Sequence, residues 1–346
     1  RIGIKDGSNA GSQEFTTAAG MLYIGNIIFR LMHNVLFTFL TPRHRVVLAY
    51  ALMVVAQVTL GLAYFVWDSK TLAWVYGSYT LAGIAIGSFE SNLMSSITPL
   101  GHGTKSWAVI GVPIGFNAVS VGFFALFALS PGNVALQGSA YFFIAACNLA
   151  GIFFFLLCIP AVEFEASNDN VRKFAEDLKV FREWVPNIWQ HAVAMMFNMF
   201  AVSLFTTVAL SIYDKDEVPI YPGADVTIGK NVFQAVYNLC SFGGDFSARK
   251  VAYWGKPRSP FLFLVLSAVG VGLVLSKTAL IAPIGMFCVM FCNGSVYAQS
   301  TRHVDNEVDD RFNLIALSVW LFFGDIGSSI GAQIVPIVRE LVGSVH

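Results

Sequence analysis

Ten long apolar segments follow one another along the chain, separated by short polar stretches. A bilayer core about 30 Å thick needs roughly 20 apolar residues per helix. Apolar residues run through these segments without the alternation of barrel strands, which are about half as long. Because backbone groups must satisfy one another in lipid, the pattern predicts membrane helices. The predicted spans are 16–40, 46–67, 73–97, 106–129, 137–161, 187–212, 227–251, 259–277, 279–301 and 312–337.

A polar segment at 164–186 divides these spans into five and five. Within it, Val171, Phe174, Leu178 and Phe181 recur at helical spacing, with charged residues between them. This pattern predicts an amphipathic helix at the membrane surface, and a flexible solvated linker is the alternative. The predicted organisation is an extramembrane N-terminal segment 1–15, an N-terminal membrane half 16–163, a cytoplasmic amphipathic linker 164–186 and a C-terminal membrane half 187–340.

Basic residues in the loops predict the orientation of the chain. With the loops placed alternately on two sides, one side receives thirteen Lys and Arg residues and the other receives four. The richer side contains the stretches TPRHR, GHGTK, 164–186, RKVAYWGKPR and STRHVDNEVDDR. Cytoplasmic loops carry an excess of Lys and Arg, so this side is predicted to be cytoplasmic. The pattern leaves open whether the membrane is the plasma membrane or that of an organelle.

Composition agrees with a protein that folds in lipid. The chain is 56% hydrophobic and 12% charged, whereas soluble domains carry roughly 25% charged residues. The formal net charge is zero, which gives no general attraction to nucleic acid. The five cysteines lie in apolar stretches without metal-site spacing, and the sequence has no nucleotide-binding or nucleophile motif. We therefore expect an all-α polytopic membrane bundle that is not an enzyme and holds no metal or cofactor.

Several predicted spans contain ionisable residues away from their ends, namely Arg30, Glu90, Asp245 and Asp325. A charge at the bilayer centre costs about 2.5–3.5 kcal/mol on insertion scales, so such residues should face the bundle interior or a wet cavity. Arg249 lies four residues after Asp245, on the same helix face, and the two should form an ion pair. That pair contacts a solute or takes part in gating, locks the helix, or reaches the lipid headgroups. Glu90 is either a hydrogen-bonded core residue or a proton-coupling site.

The residues resemble those of the equilibrative nucleoside transporter family. The stretch GGDFSARK, with Asp245 and Arg249, matches the family's eighth-span pair of an Asp and an Arg four residues apart. TPRHRV resembles the family's basic turn, with Asn34 shortly before it. SAYFFIAACNLAGIFFFLLCIPAVEF resembles the sixth span, and FCNGSVYAQS, with Asn293, resembles the tenth. The family's fifth-span Gly-Gln-Gly is replaced by GVPIG, with Asn117 just beyond it.

This resemblance implies a major-facilitator-like fold of six plus five spans. The ten visible spans would then be the second to the eleventh, with a first span preceding Arg1. It also implies that Asp245 accepts hydrogen bonds from ribose hydroxyls and that Arg249 donates to the ribose or the base. The candidate substrate-binding residues are Asp245, Arg249, Glu90, Asn117, Asn293 and Asn34.

Three functions follow from these patterns. The first is a carrier that moves a polar solute, a nucleoside or nucleobase, through the lipid bilayer by alternating access. The second is a non-transporting subunit that packs against partner membrane proteins within a larger assembly. The third is an unrelated major-facilitator carrier for sugars or organic ions.

Overall fold

The described residues fold into α-helices, together with one β-ribbon. The computed structural model describes residues 10–37, 39–130, 132–160, 171–212, 217–252 and 259–343. In these residues the helices are α1 Ala10–Leu36, α2 Pro42–Gly61, α3 Ala73–Ile97, α4 Gly101–Leu129, α5 Val134–Cys158, α6 Val171–Lys179, α7 Phe181–Ile212, α8 Lys230–Ala252, α9 Phe261–Val274, α10 Ile281–Glu307 and α11 Asn313–Gly343. A π-helical turn, Leu62–Val66, extends α2.

A helix overlaps each of the ten predicted spans. The range of α3 is the predicted 73–97, whereas α1 begins at Ala10, within the predicted N-terminal segment 1–15, whose location outside the membrane stays a prediction. Within the predicted linker 164–186, one helix ends and the next one begins. Helix α6 covers Val171–Lys179, α7 already begins at Phe181, and 164–170 lie outside the described residues.

Six helices in the described part of the chain are long and apolar enough to cross a membrane. The ranges that meet these criteria are Pro42–Val66, Gly103–Phe123, Val134–Cys158, Phe181–Phe205, Ile281–Glu307 and Asp310–Val335. Helix α9 has 14 residues, which is fewer than an untilted span needs. In α1, α3 and α8, the Ser, Asn and charged residues lower the mean hydropathy. Length and composition therefore support six spans, which is fewer than the ten predicted.

The described residues form two compact units. Unit 1 contains α1, α2, α3, α5, α6, the first residues of α7 and α11 as far as Phe322. Unit 2 contains α4, the rest of α7, the β-ribbon, α8, α9, α10 and α11 from Phe323 onwards. In unit 1, α3 packs against both α1 and α2, and in unit 2, α10 packs against both α8 and α9.

Glycine allows α1 and α3 of unit 1 to touch backbone to backbone. A Cβ atom at Gly83 would collide with the carbonyl oxygen of Leu22. A Cβ atom at Gly87 would lie 2.6 Å from the carbonyl oxygen of Asn26. Small residues permit such close approach in membrane bundles, where dispersion and not the hydrophobic effect holds helices together.

Two pairs of glycines spaced four residues apart have different surroundings in α11 and α4. In α11, Gly327 lies against the backbone of Met196 in α7, and a Cβ at Gly331 would lie 2.5 Å from the carbonyl oxygen of Phe200. In α4, a Cβ at Gly111 or Gly115 would have no neighbour within 4 Å among the described atoms. The pair in α11 therefore permits close helix packing, whereas the pair in α4 makes no such contact with the described residues.

The β-ribbon ties the loop between α7 and α8 to the turn before α10. Its strands, β1 Glu217–Pro219 and β2 Thr227–Gly229, pair antiparallel. At the end of β1, the Pro219 carbonyl accepts a hydrogen bond from the amide of Ala279 at 2.8 Å. The Ile220 carbonyl accepts one from the amide of Leu280 at 3.1 Å.

Candidate functional site

Asp245 and Arg249 of α8 form the ion pair that their spacing predicts. The Nε of Arg249 donates to Oδ1 of Asp245 at 2.9 Å, and Nη2 donates to Oδ2 at 3.1 Å. The Arg249 and Asp245 side chains are 3% and 5% exposed. Two parallel charge-assisted bonds fix both the distance and the plane of the pair. The pair is therefore buried inside the protein, as expected for charges within a membrane span.

Two further contacts hold the guanidinium of Arg249. Its Nη1 donates to the carbonyl oxygen of Val109 in α4 at 2.9 Å. Its Cζ lies 4.2 Å from the ring centroid of Tyr297 in α10, within the range of a cation–π interaction. The guanidinium thus has a carboxylate on one side, a backbone carbonyl on another and an aromatic ring against its face.

Asn293 of α10 joins the carboxylate of Asp245, and Asn198 of α7 extends the chain of hydrogen bonds. The Nδ2 of Asn293 donates to Oδ1 of Asp245 at 3.2 Å. The Nδ2 of Asn198 donates to Oδ1 of Asn293 at 2.7 Å. A side chain at Gly294 would collide with the Asp245 backbone carbonyl, so glycine at that position lets α10 approach α8. We call Asp245, Arg249, Asn293 and Asn198 the Asp245 network.

Sequence reasoning missed Asn198, Val109 and Tyr297. Asn198 had a usable signal, because it is a lone amide in the apolar run MMFNMF and a polar group in lipid is costly. Val109 contributes a backbone carbonyl, and the proline four residues later, Pro113, was a sequence signal that this carbonyl lacks its regular helical donor. Tyr297 is one of 11 tyrosines, and nothing in its local sequence distinguishes it.

Glu90 of α3 pairs with a base of unit 1. The Nη2 of Arg30 in α1 lies 3.3 Å from Oε2 of Glu90, and the two side chains are 2% and 22% exposed. The two ionisable groups that the sequence marked in separate spans thus offset each other's charge across the α1–α3 contact. The substrate-binding role predicted for Glu90 stays a prediction.

Asn34 contributes to the turn between α1 and α2. Its Oδ1 accepts a hydrogen bond from Nη1 of Arg45 at 3.2 Å. The Nε of Arg45 also donates to the carbonyl oxygens of Phe37 and Leu40, each at 2.9 Å. This is the geometry of a helix C-terminus capped by a cation. Asn34 therefore has a structural role at this turn. Its contact with a solute stays a prediction.

Asn117 of α4 bonds within its own helix. Its Nδ2 donates to the carbonyl oxygen of Pro113 at 2.9 Å, and its side chain is buried. Asn117 and the Asp245 network both belong to unit 2, whereas Asn34 and Glu90 belong to unit 1. Among the described residues, no three His, Cys, Asp or Glu side chains come together in a way that could hold a metal ion.

Comparison of the fold with solved structures identifies transporters. No family model matches the sequence, and no curated protein matches it. The structure is similar to the Escherichia coli fucose:proton symporter FucP, with a TM-score of 0.61, 14% sequence identity and coverage of 96% of this chain and 86% of that chain. It is similar to the proton:xylose symporter XylE bound to 6-bromo-6-deoxy-D-glucose, with a TM-score of 0.67, 11% identity and coverage of 98% and 82%. A POT family transporter in complex with a thioalcohol-conjugated peptide gives a TM-score of 0.64, 12% identity and coverage of 95% and 84%.

Identities this low show the fold and not the cargo. FucP and XylE are major facilitator superfamily transporters. The comparisons do not confirm the resemblance to equilibrative nucleoside transporters in particular. The chain is an integral, multi-pass membrane protein with the fold of major facilitator superfamily transporters.

Proposed function

We propose that this protein is a membrane carrier that moves a small polar solute by alternating access. The observation that carries the proposal is the Asp245 network, which places a carboxylate, a guanidinium and two amides inside an apolar helical fold. Four buried polar side chains cost free energy that a purely structural bundle could avoid. Together with a transporter fold, they suit the recognition of a solute rich in hydrogen-bonding groups.

We propose a nucleoside or nucleobase as the first cargo class to test. Asp245 offers acceptors for the hydroxyl groups of a sugar, Arg249 and Asn293 offer donors, and the ring of Tyr297 offers an aromatic face. The resemblance to equilibrative nucleoside transporters implies such roles for Asp245 and Arg249. A sugar shares the hydroxyl chemistry, and FucP and XylE are symporters of fucose and xylose, so sugars belong in the same panel.

We further propose that ten helices cross the bilayer. Helix α6 is the exception among the described helices, because its nine residues are too few for a span. Helices α1, α3 and α8 fall short in hydropathy through polar side chains, and several of these bond to the protein instead of facing lipid, as Asp245, Arg249 and Arg30 do.

The test is uptake by purified protein in liposomes. Radiolabelled uridine, hypoxanthine, fucose, xylose and a dipeptide are supplied separately, and we expect saturable uptake of uridine or hypoxanthine. Asp245→Asn keeps the shape of the side chain and removes its charge, and we expect uptake to fall at least about tenfold, because charge-assisted hydrogen bonds contribute about 1.5–3 kcal/mol. Asp310→Asn makes the same change at an exposed position and should leave uptake unchanged.

Equal uptake by the wild type and Asp245→Asn would remove the Asp245 network from the mechanism. Saturable uptake of a sugar or the dipeptide alone would keep the carrier and reject the nucleoside. Folded protein that takes up none of the five probes would contradict the proposed function.

The structure also supports a second candidate, the non-transporting subunit. The Asp245–Arg249 pair is closed, bidentate and buried, which is the geometry of a structural lock. A lock predicts that neutralising both partners, as in Asp245→Asn with Arg249→Gln, restores the stability that either single change removes. A carrier predicts that the double variant stays inactive in uptake even where its stability recovers.

A further inference from the structure

Helix α4 carries a proline in its interior, Pro113. In an α-helix each carbonyl accepts a hydrogen bond from the N–H four residues later. The residue four positions after Val109 is Pro113, which has no N–H. The regular helical donor for the Val109 carbonyl is therefore missing, although α4 continues as a helix from Gly101 to Leu129.

Arg249 supplies a donor to this carbonyl. Its Nη1 lies 2.9 Å from the Val109 oxygen, and Val109 and Arg249 are 0% and 2% exposed. A buried carbonyl without a partner carries the full desolvation penalty of that group. The bond from α8 offsets this penalty, and it joins α4 to the charged pair across the interior of unit 2.

The bond to Val109 also restricts the orientation of the carboxylate partner. A guanidinium is a planar fork with five donors in fixed directions. With Nη1 held by Val109 and the ring of Tyr297 against its face, the plane of Arg249 cannot rotate freely. Nε and Nη2 then present a fixed edge to the two oxygens of Asp245.

We propose that Pro113 is a positioning residue for Arg249. Its missing N–H reserves the Val109 carbonyl for Nη1, and the anchored guanidinium holds Asp245 in one orientation for the solute. An ordinary residue at position 113 would supply an N–H, which would draw the Val109 carbonyl back into the helix. The role in solute binding rests on the proposed function, whereas the anchoring of Arg249 does not.

Two substitutions separate the missing N–H from the proline ring. Pro113→Ala introduces an N–H and a better helix former. We expect a melting temperature equal to or above that of the wild type, together with a KM for solute uptake about tenfold higher, which corresponds to about 1.4 kcal/mol.

Incorporation of lactic acid at position 113 gives the alanine side chain with an ester and no N–H. We expect this ester variant to have the wild-type KM. An ester variant with the KM of Pro113→Ala would overturn the proposal, because the ring and not the missing donor would then matter.

A second readout does not depend on transport. In protein labelled with 15N-arginine, NMR measures the rotation of the Arg249 guanidinium about its Nε–Cζ bond, with Arg249→Lys identifying the signal. We expect rotation at least about ten times faster in Pro113→Ala than in the wild type and the ester variant.

Pro186→Ala, which changes a proline inside α7, is the matched control and should leave the rotation unchanged. Equal rotation in the wild type and Pro113→Ala would overturn the anchoring whatever the solute. Faster rotation in a protein that transports none of the probes would support the anchoring and contradict the proposed function alone.

Discussion

Two buried arginines show how a charge is accommodated in an apolar bundle. Arg249 has a carboxylate as its partner. Arg45, which is 1% exposed, donates to the carbonyl oxygens of Phe37 and Leu40 and to the amide oxygen of Asn34. The carbonyls at a helix C-terminus carry a negative partial charge, so the end of α1 attracts a cation.

Arg45→Lys should therefore lower stability although it keeps the charge. A lysine ammonium cannot reproduce the fork that reaches the end of α1 and Asn34 together. We expect the free energy of unfolding to fall by about 2 kcal/mol, measured by thermal unfolding in detergent. Arg43→Lys is the matched control, because Arg43 is partly exposed and donates to the Leu156 carbonyl. An equal loss in both variants would contradict the capping role of Arg45.

The ring of Tyr297 should contribute to solute affinity through the face it presents to Arg249. Tyr297→Leu removes that face, and we expect KM for uptake to rise about five- to thirtyfold, because a desolvated cation–π contact contributes about 1–2 kcal/mol. Tyr297→Phe keeps the ring and should keep most of the affinity. Equal values of KM in the two variants would show that the ring face is irrelevant.

At the residue scale, the sequence predicts contacts between side chains that are close together in the chain. Asp245 and Arg249 were paired correctly because positions four apart in a helix are neighbours whatever the tertiary structure. Asn293 came from the resemblance, and the structure places its amide on Asp245. Asn198 and the Val109 carbonyl were missed because their contacts join segments far apart in the chain, and hydropathy carries no information about which helices meet.

The contact between α1 and α3 predicts that an alanine substitution has different effects on stability at two glycines of α3. A Cβ at Gly87 would lie 2.6 Å from the backbone oxygen of Asn26, whereas a Cβ at Gly77 would have no described atom within 4 Å. Gly77→Ala should be neutral or stabilise the protein by up to about 1 kcal/mol, because alanine is the better helix former. Gly87→Ala should destabilise it by about 1–3 kcal/mol, because backbone atoms must shift.

Thermal unfolding of the two alanine variants checks this prediction. The helix propensity changes equally in both, so the difference between their melting temperatures isolates the close contact. Equal melting temperatures would mean that α1 and α3 have room for a methyl group.

The boundary between α6 and α7 shows where element prediction fails. The stretch EDLKVFREW has neither Gly nor Pro, so nothing in it signals that one helix ends at Lys179 and another begins at Phe181. Two contacts of Asp177 lie beside the break. Nη2 of Arg311 lies 3.2 Å from Oδ1 of Asp177, and Nε1 of Trp184 donates to the Asp177 carbonyl at 3.0 Å. The exposed side chains of Leu178 and Phe181 agree with a helix at the membrane surface, and that location stays a prediction.

At the scale of the whole molecule, burial changes the count of basic residues that predicts orientation. Among the bases of the predicted cytoplasmic side that the structure describes, Arg45, Lys105 and Arg249 are buried and bonded to protein oxygens. Their positions reflect internal contacts and carry little information about topology. Without these three, the sequence count of ten against four still favours the same orientation.

Cysteine labelling tests this orientation. In a variant without the five native cysteines, Lys70→Cys and Lys179→Cys each introduce one thiol at an exposed position. A maleimide that cannot cross membranes, added to right-side-out vesicles, should label position 70 and leave position 179 unlabelled until the membrane is opened. Labelling of position 179 alone would invert the predicted topology.

The helical membrane fold could be predicted from the sequence, and the cargo could not. Segment length and hydropathy reflect the solvent around the protein, and these signals extend over about 20 residues per helix. The cargo depends on a few polar atoms such as those of Asp245 and Asn293. Their chemistry suits nucleosides and sugars alike, so only a direct measurement will distinguish these solutes.

Because hydrogen bonds join the β-ribbon to the turn before α10, a probe attached beside the ribbon can report on movement of that helix. Asn293 lies 12 residues after Ile281, about three helical turns along α10. Tyr221 lies just beyond β1, is 56% exposed and follows directly after Ile220, whose carbonyl bonds to Leu280. A fluorescent dye attached at position 221 should therefore register any displacement of α10, and it would do so without touching the residues proposed to hold the solute.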